Sequence, residues 1–111
     1  MLLQEIFRRW VHETGAPVLI CPIPTFDHIA GCMRSEPYRA RFAELGRELG
    51  VEVLDILPRL LSETRQVRRE KLRFLHDEHP TPLCHRLIAE AIAPRIVAAV
   101  RGSAHGEMRQ G

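Results

Sequence analysis

The sequence predicts a small α/β domain, with helices on both faces of a short parallel sheet. Three observations predict it. Helical and strand-like blocks alternate along the chain in the order helix, strand, helix, strand, helix, and such alternation builds right-handed βαβ units. Both strand candidates are short, continuously apolar runs, as expected of strands covered on two faces. At 111 residues and 12.7 kDa the chain has room for one domain.

Each element has its own justification. Leu2, Leu3, Ile6, Phe7, Trp10 and Val11 recur at helical spacing, and Gly15 stops the run, so residues 2–14 read as an amphipathic helix. PVLICPI, residues 17–23, is the first strand. Residues 24–36 hold Gly31 and Ser35 with little periodicity and read as a loop. Tyr38, Phe42, Leu45 and Leu49 mark the second helix, closed by Gly50. VEVLDI, residues 51–56, is the second strand, followed by a helical turn at Leu57, Leu60 and Leu61. Residues 62–73 are charged and arginine-rich, and residues 74–81 read as a polar loop. Thr81 is placed to cap the last helix, with Pro82 at its first position. Leu83, Leu87, Ile88, Ala91 and Ile92 form that helix's apolar stripe. Pro94 is expected to kink or break it, leaving a further helical piece to about Arg101. The domain thus spans residues 1–101, and residues 102–111 read as a flexible tail. Two parallel strands make a poor sheet, because both leave an edge to cover. The chain reads as part of a doubly wound domain.

Composition narrows the function classes. Hydrophobic residues make up 45% and charged residues 27%, which is ordinary for a folded globular chain and excludes disorder as the main state. No apolar run reaches the roughly 18–20 residues of a membrane span. The net charge of +2 gives no basis for a nucleic-acid partner. Cys21, Cys32 and Cys84 are odd in number, widely spaced and free of any Cys-x-x-Cys pair, so neither a disulfide framework nor a structural zinc site is expected. The first ten residues lack the charge order of a signal peptide, so the chain as written is expected to stay in the cytoplasm.

The segment from Phe74 to Pro94, FLHDEHPTPLCHRLIAEAIAP, carries the most chemistry. It resembles the last sequence block of the SGNH (GDSL-type) serine hydrolases, in which an Asp and a His stand close together on a loop ahead of a helix of the form GHRLIAEAL. Asp77, His79, Pro80, Thr81 and the run from His85 to Glu90 carry the match. ICPIPTF and YRARFAELGRELGVEVLDIL are similar, by order, to that family's penultimate strand and the helix and strand after it. The resemblance implies the flavodoxin-like three-layer α/β/α fold of that family, of which these residues are the C-terminal portion. It also implies an ester hydrolase working through a serine acyl-enzyme on a small acyl ester, with neither a metal nor an organic cofactor. His79 would be the general base and Asp77 its orienting partner. By spacing alone the roles stay open, because His76 also adjoins Asp77.

Two departures from that family matter. It draws its nucleophile from a Gly-Asp-Ser block, and none occurs here; the serines are Ser35, Ser62 and Ser103. Its oxyanion hole uses an Asn, and the chain contains no asparagine. One lost oxyanion donor typically costs about 10²–10³ in rate. The resemblance therefore implies only the Asp–His half of a triad and an inactive isolated chain. Cys84 also stands where the family has a small residue, and it is expected to crowd the helix start.

Other readings stand beside this one. Asp27 and His28 follow the first strand at its carboxyl end, where α/β sites form, and are candidates to line a substrate pocket or to cap a loop. Asp55 reads as the cap of the turn after the second strand. His76, Asp77, His79 and His85 include metal-ligating types but lack the i, i+4 helical spacing of a zinc hydrolase. Arg65, Arg68, Arg69, Lys71 and Arg73 read as a solvated basic face. A non-enzymatic interaction module is the alternative function, its open sheet edge completed by another chain or by self-association. A gene remnant with exposed apolar faces is the third.

Overall fold

The computed structural model describes residues 2–110, and side chains through residue 102. Its elements are α1 (Leu2–Thr14), β1 (Leu19–Ile20), α2 (Phe26–Ala30), α3 (Glu36–Leu49), β2 (Glu52–Val53), α4 (Leu57–Leu61), α5 (Arg65–Glu70), β3 (Arg73–Phe74), β4 (Asp77–Pro80) and α6 (Pro82–Gln110). The chain is a small, helix-rich α/β domain.

The two expected strands pair in parallel, Leu19 with Glu52 and Ile20 with Val53, and Leu54 N–H donates to the Ile20 carbonyl at 2.8 Å. They are much shorter than their apolar runs. Pro17, Pro22 and Pro24 have no N–H to give a ladder, so pairing is confined between them. Alternation along β2 separates two helical layers. Val53 faces α3, where a Cβ on Gly46 would meet its Cγ2 at 2.8 Å. Leu54 lies against the main core, and Glu52 pairs with Arg95 of α6. That core joins Ile29 of α2, Ile56, Leu57 and Leu60 around α4, Leu72, and Cys84, Leu87 and Ile88 of α6.

Three local readings are corrected, and residues 62–73, which the sequence left without a structural reading, gain a helix. Residues 24–36 are not all loop, because Phe26–Ala30 forms a helical turn with Thr25 at its N-cap, closed by Gly31 at φ 81°. Ile29 and Ala30 are buried there, so packing holds a turn too short to show periodicity. The arginine-rich stretch contains α5, whose Thr64 cap accepts Val67 N–H at 3.2 Å. Residues 74–81 are not a plain loop either: β3 and β4 form an antiparallel hairpin with an irregular register between Arg73 and Phe74. Finally, α6 runs unbroken through Pro94, as one element Pro82–Gln110. Proline at position 94 deprives the Glu90 carbonyl of its helical donor. Both residues are exposed, so water can serve that carbonyl in place of the missing N–H.

The molecule is elongated, 53 × 31 × 20 Å, with a radius of gyration of 16.4 Å against about 13 Å for a compact chain of this length. Its accessible surface of 8014 Å² exceeds by about 1,800 Å² the roughly 6,200 Å² of a compact monomer of this mass.

Candidate active site

Asp77 and His79 lie on β4, and their spacing explains why they meet. Residues i and i+2 of a strand project from the same face. Asp77 Oδ1 accepts the His79 backbone N–H at 3.0 Å and also contacts ring Nδ1 of the same histidine. A short aspartate side chain commonly reaches the backbone two residues on. The His79 backbone N–H, followed by the hydrogen bond to its ring, holds the Asp77 carboxyl below its ordinary value. Nδ1 is thereby engaged and Nε2 is the ring nitrogen left for a reacting group. The pair is open to solvent, with side chains 83% and 57% exposed for His79 and Asp77.

The hairpin is anchored from both ends. Arg73 stacks over the Phe26 ring at 4.2 Å and stands 4.0 Å from Glu78. Thr81, two residues after His79, donates its hydroxyl to the Lys71 carbonyl at 2.6 Å and accepts Cys84 N–H at 3.3 Å. Its own N–H donates to the Leu72 carbonyl at 3.2 Å. The expected cap of the last helix thus also ties the base of the hairpin. Cys84 does not crowd the helix start; it is fully buried in the core, and burial pushes its thiol pKa up, which keeps it protonated and inert.

Asp27 and His28 sit on α2, one and two residues after the Phe26 that carries Arg73. Their element therefore lies beside the dyad hairpin. His28 Nδ1 is 2.8 Å from the Thr25 hydroxyl, and its ring lies against that of Tyr38, tilted by 58° with centroids 4.8 Å apart. The Asp27 backbone carbonyl accepts Cys32 N–H at 2.8 Å and closes the turn. The Thr25–His28 pair was not legible as a motif; its signal is the i, i+3 spacing, which acts only once residues 26–30 are helical. Nearby, Asp55 caps as expected, accepting Leu57 N–H at 3.2 Å and pairing with Arg39 at 2.5 Å. Burial and the Asp55 charge push the Tyr38 phenol upward.

The serines do not complete a triad among the described residues. Ser62 Oγ donates to the Arg59 carbonyl at 2.6 Å, and Ser35 stands at the N-terminus of α3. The Ser103 side chain lies outside the described residues. Among those described, no group of three or more His, Cys, Asp or Glu side chains gathers as metal ligands, and no helix is long and apolar enough to cross a membrane. The basic cluster is partly structural instead of a uniform solvated face. Arg68 donates to the Ile29 carbonyl at 2.8 Å and to the Glu63 carbonyl at 3.2 Å, while Arg73 is committed to Phe26 and Glu78.

No known protein family, curated protein or solved structure matches the chain.

Proposed function

We propose that these residues are the C-terminal part of an ester hydrolase of the SGNH type, contributing His79 as general base and Asp77 as its partner. The observation that carries this reading is the contact between Asp77 Oδ1 and His79 Nδ1. It fixes the tautomer in which Nε2 is free to accept a proton. A serine hydroxyl attacking an acyl carbon would pass its proton to Nε2, and the imidazolium would return it to the departing alcohol oxygen. Asp77 would stay ionised and stabilise that imidazolium, which its depressed pKa favours. The substrate class is a small acyl ester. The reading needs a serine nucleophile and oxyanion donors from outside the 111 residues, since the sequence has neither Gly-Asp-Ser nor asparagine. The isolated chain then hydrolyses an activated acetate ester at the buffer rate.

The test is to sequence the coding DNA upstream of Met1 in frame and to express the longer frame. The expected result is a Gly-Asp-Ser turn and an asparagine block, with ester hydrolysis that falls by about 10³-fold or more in His79→Ala. A frame that closes at once, or activity that survives His79→Ala, overturns the reading.

The open edge of β1 favours a second reading, a non-enzymatic interaction module. The Ile20 carbonyl turns toward β2, so by alternation the backbone groups of Leu19 and Cys21 turn away from it, toward the free edge. A strand of another chain would pair there. Hydrolysis lost on His79→Ala would exclude this module as the whole function.

A further inference from the structure

We propose that Thr25 and His28 form a nucleophile–base pair of their own, in which the Thr25 hydroxyl takes an acyl group from an activated ester. The hydroxyl lies 2.8 Å from His28 Nδ1, within reach of proton transfer. A threonine ahead of a helical turn ordinarily spends its hydroxyl on a backbone N–H of that turn, and Thr25 does not. Its carbonyl accepts the His28 and Ile29 N–H groups instead, at 3.1 and 3.2 Å. The hydroxyl is left to the imidazole.

Both partners are held in place. A base serves a nucleophile when a third group fixes its orientation. The His28 ring lies against Tyr38, and Tyr38 is itself packed against the buried core. Thr25 follows the buried Pro24 and precedes Phe26, whose ring carries Arg73. Thr25 is exposed and His28 half-buried, so an ester in solution can reach the hydroxyl while the base stays ordered. The pair follows β1, and Tyr38 lines the same small cavity as Asp55, which follows β2. The carboxyl ends of parallel strands are where α/β folds place their ligands.

The chemistry is acyl transfer. In the neutral ring with its proton on Nε2, Nδ1 accepts the hydroxyl proton as Oγ1 attacks the acyl carbon. The bond from that carbon to the aryl oxygen breaks, and the proton passes from Nδ1 to the departing aryloxide. The products are O-acyl threonine and a phenol. The substrate class is acyl esters with a phenol-like leaving group. A threonine alkoxide leaves far less readily, so the acyl threonine persists and transfer stops after one equivalent. Steady hydrolysis by the isolated chain therefore stays at the buffer rate. The pair shares no residue with Asp77 and His79, so this inference and the hydrolase reading fail separately.

The test is to incubate the 111-residue chain with p-nitrophenyl acetate and to map acetylated residues by mass spectrometry. A burst of p-nitrophenol and an acetyl group on Thr25 are expected. Thr25→Val should lose that group and Thr25→Ser should keep it. His28→Gln can still hydrogen-bond to the hydroxyl but takes no proton from it. It should slow acetylation of Thr25 by about 10²-fold or more, the usual worth of a general base. Nitrogen NMR should place the proton of the neutral His28 ring on Nε2. Acetyl groups confined to Cys32, Lys71 or the N-terminus overturn the proposal. So does acetylation of Thr25 at an unchanged rate in His28→Gln, or a neutral His28 ring protonated at Nδ1.

Discussion

Thr81→Val isolates the residue that ties the dyad hairpin to α6. Valine keeps the shape of threonine and removes only the hydroxyl. Two hydrogen bonds are lost, one to the Lys71 carbonyl at 2.6 Å and one from Cys84 N–H at 3.3 Å. An N-cap side chain is worth typically about 1 kcal/mol, and a neutral hydrogen bond about 0.5–1.5 kcal/mol. Lys71 is exposed, so water takes over part of the lost bond there. Cys84 is buried, so its N–H finds a substitute less easily. The expected cost is therefore about 1.5 kcal/mol, or a fall in Tm of about 6–9 °C for a chain of this size. Thermal unfolding followed by circular dichroism reads both. Thr81→Ser, which keeps the hydroxyl, should recover most of the loss. A Thr81→Val protein with wild-type Tm, or a serine variant as unstable as the valine one, would refute the reasoning and leave the hairpin held by Arg73 and its backbone hydrogen bonds.

Other predictions concern the dyad and the layer behind the sheet. The Asp77 carboxyl, followed by NMR, should titrate below the ordinary aspartate range, and His79→Ala should move it back up, since the imidazole hydrogen bond and charge are removed and only the backbone N–H remains. Because the folded value lies below the unfolded one, the pair's contribution to stability is present above the ordinary carboxylate range. It is lost as pH falls through the folded value. An unshifted Asp77 titration would mean that the contact does not persist in solution. Gly46→Ala should destabilise by about 1–3 kcal/mol in urea unfolding, although alanine is the better helix former. Its Cβ would stand 2.8 Å from Val53 Cγ2 and 3.1 Å from the Val51 carbonyl oxygen. A stabilised variant would show that α3 can back away from β2 freely.

The sequence by itself determined the helices with strong periodicity and clear ends. α1 stops at Gly15, α3 at Gly50, and α6 starts at Pro82 after Thr81, because caps and glycine conformations are local energetics. It singled out Asp77 and His79 only through a resemblance; the strand β4, read from the sequence as a polar loop, is what sets these i, i+2 neighbours on one face. Tertiary structure decided what depends on distant partners. α2 and the β3–β4 hairpin are too short to declare a period, and they exist because Ile29 and Ala30 are buried and because Arg73 rests on Phe26, residues far apart in sequence. Arg68 looked like one more solvated cation until its guanidinium met the Ile29 carbonyl, 39 residues away. The apolar stripe of α1 was legible at once. Only packing showed that α3 covers one edge of it, and unsatisfied apolar surface of that kind is a tertiary property that no local pattern encodes.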